Sequence, residues 1–343
     1  MSGLTSVYRG VLLGLLCETT LATCEQESAP TAREHLQVAR DERGVSQSKQ
    51  SMVETWHLME EKQFFLHRPP NSFTGLYRTQ GIATDGDKWF FSWQYGLEIA
   101  NNKFESVKRN SWFDLPATVV PGIPPSLLRQ GLNHIGDIDY DHGIIYASLD
   151  ATDGYSNGHV VLYDAVDLTY TGVAYELIGA PSNPKNDIAS WVAVDAKRNL
   201  GYGKEWQSGN TINVYSLPDW NFTHTLTLDR LLERIQGGKV QGNWLYMAAD
   251  DATRSVYRAN VVNGHVEELF RLPVAAGDRE VEGIAVRTSQ RTLAASEACD
   301  NAVDIYVAMI VDPDRSRRDP ANPNLHVSVY HYIPVVGHES LDK

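Results

Sequence analysis

The stretch Gln80-Gly81-Ile82-Ala83 is followed by a tight-turn signal, Asp85-Gly86-Asp87, and then by the apolar run Trp89 to Trp93. The same order returns four times. His134-Ile135-Gly136-Asp137-Ile138 precedes Asp141-His142-Gly143, and Ser190-Trp191-Val192-Ala193-Val194 precedes Ala196-Lys197-Arg198-Asn199. Gln236-Gly237-Gly238-Lys239-Val240 leads into Gln241-Gly242-Asn243, and Glu282-Gly283-Ile284-Ala285-Val286 into the weaker Thr288-Ser289-Gln290-Arg291. Successive starts lie 46 to 56 residues apart. Gly or Asn in a short polar break between apolar runs is a hairpin signal. A strand-turn-strand register recurring at this spacing marks the blades of a β-propeller.

Further strands follow each turn. Ile144 to Leu149, Leu200 to Lys204, Trp244 to Ala249 and Thr292 to Ser296 read as second strands, with Thr211 to Tyr215 then Phe222 to Leu228, and Ser255 to Asn260 then His265 to Leu272, as third and fourth. Val303 to Val311 and His326 to Ile333 read as the outer strands of the last repeat. A four-stranded sheet with two apolar faces cannot cover both alone, so such sheets stack around an axis. The expectation is an all-β fold, a propeller of five four-stranded blades, with six as the alternative. Glu54 to Met59 and Gln63 to His67 either add a strand at the ring closure or belong to a sixth blade. A β-sandwich would not explain a register repeated five times.

The chain has 343 residues, 42% of them hydrophobic, enough for a large core without disulfides or metals. Its 30 Lys and Arg against 43 Asp and Glu give a net charge of -13, which argues against a nucleic acid or an anionic membrane surface as partner. Arg9 followed by Gly10 to Cys17 reads as an export signal, residues 1–23, too short an apolar run to span a bilayer. The competing reading, a buried helix start, is disfavoured by the polar residues 24–51, which read as a flexible linker before a propeller domain over 52–343. The chain is thus expected to be secreted or periplasmic. Leu21-Ala22-Thr23-Cys24 loosely resembles a lipobox, so a lipid anchor through Cys24 is the alternative.

Each inner strand starts on the face where its antiparallel neighbour ends, so these two sets of residues share one mouth of the ring. There Gln80, Trp93, Glu205, Trp206, Gln236, Asp250 and Glu297 are candidates for binding a small molecule or glycan, being amides, carboxylates and indoles. Asp137, Asp187 and Glu282, from three blades, are candidate oxygen ligands for Ca²⁺, and His134 a candidate general base because imidazole titrates near neutrality. Bland readings compete with each. Carboxylates at strand ends often bond turn amides, and a Trp at a blade start often wedges between sheets. Trp191 reads as packing, whereas Trp206, between Glu205 and Gln207, reads as exposed. No paired-Cys or His-x-x-x-His zinc spacing and no Gly-x-Ser-x-Gly elbow is present.

Glu282-Gly283-Ile284-Ala285-Val286 and Gln80-Gly81-Ile82-Ala83 resemble blade starts of calcium-dependent lactonase and gluconolactonase-type propellers. The resemblance implies a metal ligand at Glu282, with Asn186-Asp187 as the nearest counterpart of the family's other ligands. Five repeats depart from that family's six blades. The expected function is a secreted, divalent-cation-dependent hydrolase of a lactone or other ester. The alternative is a non-catalytic propeller binding a glycan or protein ligand at the same mouth.

Overall fold

The computed structural model describes residues 52–66, 76–110, 122–179, 189–273, 278–289, 303–312 and 324–338. Its first strand, β1 (Met52–Phe65), pairs with the last of the described strands and with no other described strand. The next strands form four antiparallel meanders in chain order. Blade 1 contains β2 (Ile82–Thr84), β3 (Trp89–Trp93), β4 (Gly96–Ala100) and β5 (Ser106–Asn110), and blade 2 contains β6 (His134–Asp141), β7 (Ile144–Ala151), β8 (Ser156–Asp164) and β9 (Tyr170–Glu176). Blade 3 contains β10 (Ala193–Asp195), β11 (Leu200–Gly203), β12 (Gly209–Ser216) and β13 (Asn221–Leu232). Blade 4 contains β14 (Ile235–Gln241), β15 (Trp244–Ala249), β16 (Ser255–Asn260) and β17 (Val266–Arg271). Blade 5 runs from β18 (Asp278–Thr288) through β19 (Val303–Asp312) and β20 (His326–His338) to β1 on the outside. The fold is therefore a five-bladed propeller.

The Glu54–Met59 segment and residues 63–65 of the next one form a single strand with a register slip at Met59, and that strand closes the ring, while His67 lies outside the described residues. Among the described residues the strands form five sheets. In blade 5 the partner of β18 is β19, so Val303–Asp312 takes the second place and β20 the third. The segment expected there, Thr292 to Ser296, lies outside the described residues, as do residues 1–51 with the export signal, Cys24 and the linker.

Apolar side chains fill the spaces between neighbouring sheets, where burial removes them from water on both blade faces. Phe90, Leu97 and Ile99 of blade 1 pack on Ile138, Ile145 and Leu149 of blade 2. Trp191, Tyr202 and Ile212 of blade 3 meet Ile235, Leu245 and Met247 of blade 4. Where blade 5 meets blade 1, the cation Arg78 is wholly buried, its guanidinium 4.1 Å from the ring of Phe64 on β1 and 4.4 Å from that of Phe91 on β3. Glu98 balances its charge, accepting from Nε at 2.8 Å and Nη2 at 3.2 Å. A charge taken out of water needs such a partner. Among the described residues no helix is long and apolar enough to cross a membrane.

Candidate functional site

Three inner strands slip register at the same place: β6 between Ile135 and Ile138, β14 between Ile235 and Gly237, and β18 between Val281 and Gly283. A bulge of this kind re-aims the extra residue. In β6 it carries Asp137 to the ring axis. There Oδ1 accepts the amide of Ile82 at 3.1 Å, and Oδ2 accepts Lys239 Nζ at 2.7 Å and the amide of Gly238 at 3.3 Å. The strand is held on its flanks as well, since Ile135 N–H donates to Gln94 O of blade 1 and Asp137 N–H to Ser190 O of blade 3.

The glycines that mark the repeat starts surround this carboxylate. A Cβ built on Gly81, Gly237 or Gly283 would lie 2.6 to 2.8 Å from an Asp137 carboxylate oxygen, closer than nonbonded atoms approach. Five inner strands leave a narrow axis, and side chains at these places would leave no space for Asp137. Burial pushes Asp137 up to about 6 against the pull of Lys239. Asp139, two residues on, is likewise pushed up by burial to about 6, and it accepts the amides of Val194 and Tyr140, both at 2.8 Å.

This environment bears on the expected metal site. A cation on Asp137 would have to displace the Lys239 ammonium and two amides. Glu282 is buried beside the axis, Asp187 lies outside the described residues, and among the described residues no three His, Cys, Asp or Glu side chains gather to hold a metal ion. The described donors around Asp137 thus do not suit a metal centre.

The residues preceding the three axial glycines are Gln80, Gln236 and Glu282, in equivalent places on β14, β18 and the approach to β2. Their dipeptides abut: a Cβ on Gly237 would lie 2.9 Å from Gly283 Cα, and one on Gly283 2.9 Å from both Gln80 O and Gly81 Cα. Gln80 and Gln236 are half-buried and Glu282 is buried, each directly before one of these abutting glycines. His134 and Asp150 face each other across β6 and β7, with His134 Nδ1 donating to Asp150 Oδ1 at 2.9 Å. Asp150 is buried, its Oδ2 has no hydrogen-bond partner, and burial pushes its carboxyl up against the opposing effect of His134.

Between blades 3 and 4 a further group is assembled. Lys204 Nζ, on a side chain buried at 1% exposure, donates to Glu205 O at 3.1 Å and Gln207 O at 2.8 Å, gripping the carbonyls on either side of Trp206. The Arg234 amide donates to Trp206 O at 2.6 Å, and the Arg234 guanidinium stacks 4.9 Å from the indole centre. Arg234 also pairs with Asp250, which is fully buried and takes Arg254 at 3.0 Å and the Val281 amide at 3.1 Å on its other oxygen. Burial raises Asp250 to about 6 despite these partners.

The sequence candidates thus separate. Gln80, Gln236 and Glu282 precede three abutting glycines, Glu205 and Trp206 are half-buried with Trp206 against Arg234, and His134 pairs with Asp150. Trp191 is wholly buried against Gly238, as its packing assignment expected, and Trp93 is also buried, its ring 4.7 Å from that of Tyr77. Glu297 lies outside the described residues. Sequence reasoning missed Lys204, Arg234, Lys239 and Arg254. One signal was available: Lys239 interrupts an apolar inner strand, and a charge there requires a partner.

The opposite mouth, where the first hairpins turn, holds a cavity of about 370 Å³ to which all five blades contribute, among them Thr84, Asp139, Asp195, Lys239 and Val286. Asp137 and the surrounding glycine backbones fill the axis between the two mouths.

No family model matches this sequence, and no curated protein is similar to it. Among solved structures, hydrazine synthase of Kuenenia stuttgartiensis is 12% identical at a TM-score of 0.35, covering 69% of this chain and 63% of its own. The tail fibre of Staphylococcus aureus phage P68 is 14% identical at 0.43, with 80% and 52% covered, and Saccharomyces cerevisiae Sqt1 is 10% identical at 0.36, with 73% and 55% covered. This chain spans less than two thirds of the length of each. Likenesses at that level carry no weight for function, and the five-bladed assignment rests on the strand order above.

Proposed function

We propose that this propeller is a non-catalytic binding module that holds a hydroxyl-rich ligand, a glycan, at its start mouth. The observation supporting this reading is that Gln80, Gln236 and Glu282 each directly precede one of three glycines whose backbones abut at the axis. A primary amide both donates and accepts, and a carboxylate accepts, which matches hydroxyl groups of either polarity. The rigid glycine floor keeps these groups in place, so little ordering is required on binding. An export signal over residues 1–23 would bring the chain to where extracellular glycans are met. Titration calorimetry of the full chain against a panel of neutral and acidic oligosaccharides tests the reading. Gln236→Ala should weaken binding by about tenfold, the worth of one or two lost hydrogen bonds; an unchanged affinity would refute it.

A second reading, ester or lactone hydrolysis, is favoured by one feature. His134 Nδ1 is held by a buried carboxylate, an arrangement that leaves Nε2 to take a proton. Turnover on a lactone and ester panel that vanishes in His134→Ala would establish it, and absence of turnover throughout would remove it.

A further inference from the structure

We infer that the ligand of the start mouth carries a carboxylate, as in a uronic acid, and that Arg234 reads it. The inference rests on the glycan-binding reading above and names the class of glycan.

Arg234 directly precedes β14 and stands two residues before Gln236, and its partner Asp250 accepts the amide of Val281, the residue before Glu282. Its side chain is 39% exposed although it pairs with a carboxylate of zero exposure. Two contacts hold its side chain, the cation-π approach to Trp206 and the pair with Asp250, and its amide bond to Trp206 O ties the two backbones together. The Trp206 platform is itself immobilised by buried Lys204. A guanidinium has five N–H donors. In Arg234 one Nη serves Asp250, Nε is buried with no acceptor, and the other Nη has none among the described residues. Asp250 does not depend on Arg234 alone, since Arg254 and the Val281 amide occupy its other oxygen.

The result is a cation held over an indole and partly exposed, with an unused Nη, on the strand start that also carries Gln236. A planar carboxylate is the anion a fixed guanidinium fork accepts best. A ring bearing both hydroxyls and a carboxylate would engage the amides and Arg234 together. Arg234 is in this account a ligand-reading residue, and Lys204 and Trp206 are positioning residues.

The test compares oligogalacturonate with its methyl ester, a neutral form of the same chain, by calorimetry on the full-length protein. Wild type should prefer the acid by about tenfold or more, the effect of a charge-assisted hydrogen bond. Arg234→Met should bring the two forms to within about twofold, with circular dichroism and the thermal unfolding midpoint showing separately that the variant is folded. Arg234→Lys, which retains a charge for Asp250, should give an intermediate preference. Equal affinity of wild type for acid and ester overturns the carboxylate inference and leaves the glycan reading standing. A preference that survives in Arg234→Met overturns the role of Arg234. If neither these forms nor any member of the oligosaccharide panel binds, the glycan reading falls and the inference falls with it.

Discussion

Blades 2 and 4 carry an aspartate at the same place, the end of the second strand, and surround it differently. In blade 2 Asp150 follows Leu149 and meets one partner, His134, with its other oxygen unpartnered. In blade 4 Asp250 follows Ala249 and meets two arginines and a backbone amide. The topology is the same, so the difference arises from the residue at the start of the neighbouring inner strand: a histidine at 134, an arginine at 234. A repeat supplies the position, and local substitution decides whether it becomes a lightly held pair or a fixed charge cluster.

The largest expected effect breaks this comparison directly. Asp250→Ala strands two guanidiniums and the Val281 amide, and should cost about 3–4 kcal/mol in urea unfolding. Asp150→Ala removes a single hydrogen bond and should cost about 1 kcal/mol. Equal costs would show that the two aspartates are equivalent after all.

The axis joins the two blades, and its tolerance comes next. In Gly237→Ala the new methyl group on blade 4 would meet Asp137 of blade 2 and the Ile284 amide of blade 5. Overpacking of this sort should cost about 1–3 kcal/mol, read as a lowered midpoint with an unchanged denaturant slope.

pH sharpens the contrast further. The folded state holds the Asp250 proton to about 6, whereas the ordinary value is 3.8. Between those values the folded chain binds more protons than the unfolded one, so this group's contribution falls as pH climbs from about 4 to about 6 and is flat above. Asp250→Asn should therefore flatten part of the decline in a difference curve of unfolding free energy against pH. Asp150→Asn should leave that part in place. A curve for Asp250→Asn parallel to wild type would contradict the burial of this charge.

The last contrast concerns His134. Its removal leaves the buried carboxyl of Asp150 without its side-chain partner, so His134→Ala should cost about 1 kcal/mol, the worth of one hydrogen bond. A larger loss would place His134 with Arg234 as a structural partner.

Much of the fold was legible in the chain because its signals are short-range. The turns show this: Asp141-His142-Gly143 adopts positive φ at His142 and Gly143, the backbone that two-residue hairpins need. Blade 5 was read less well, because its second strand lies beyond a long connection that no turn residue marks. The candidate site was legible as a set of strand starts and not as a set of contacts. Gln80, Gln236 and Glu282 could be grouped by their place in the repeat, whereas Trp93 and Trp206 looked alike until packing buried one and left the other half-exposed.

By itself the sequence determined the recurring strand-turn-strand register, which favoured five blades over six, since hairpin chemistry and apolar alternation act over a few residues. It also placed glycines at the strand starts, without revealing what they accommodate. Only the tertiary structure decided that Asp137 stands on the axis and pairs with Lys239, a residue two blades away, and that β1 crosses to β20 to close the ring. It also decided which charge each buried aspartate would meet. Those choices depend on desolvation, which penalises a buried charge without a partner, and partners such as Lys239 for Asp137 and Arg234 for Asp250 are set by how the strands and blades pack.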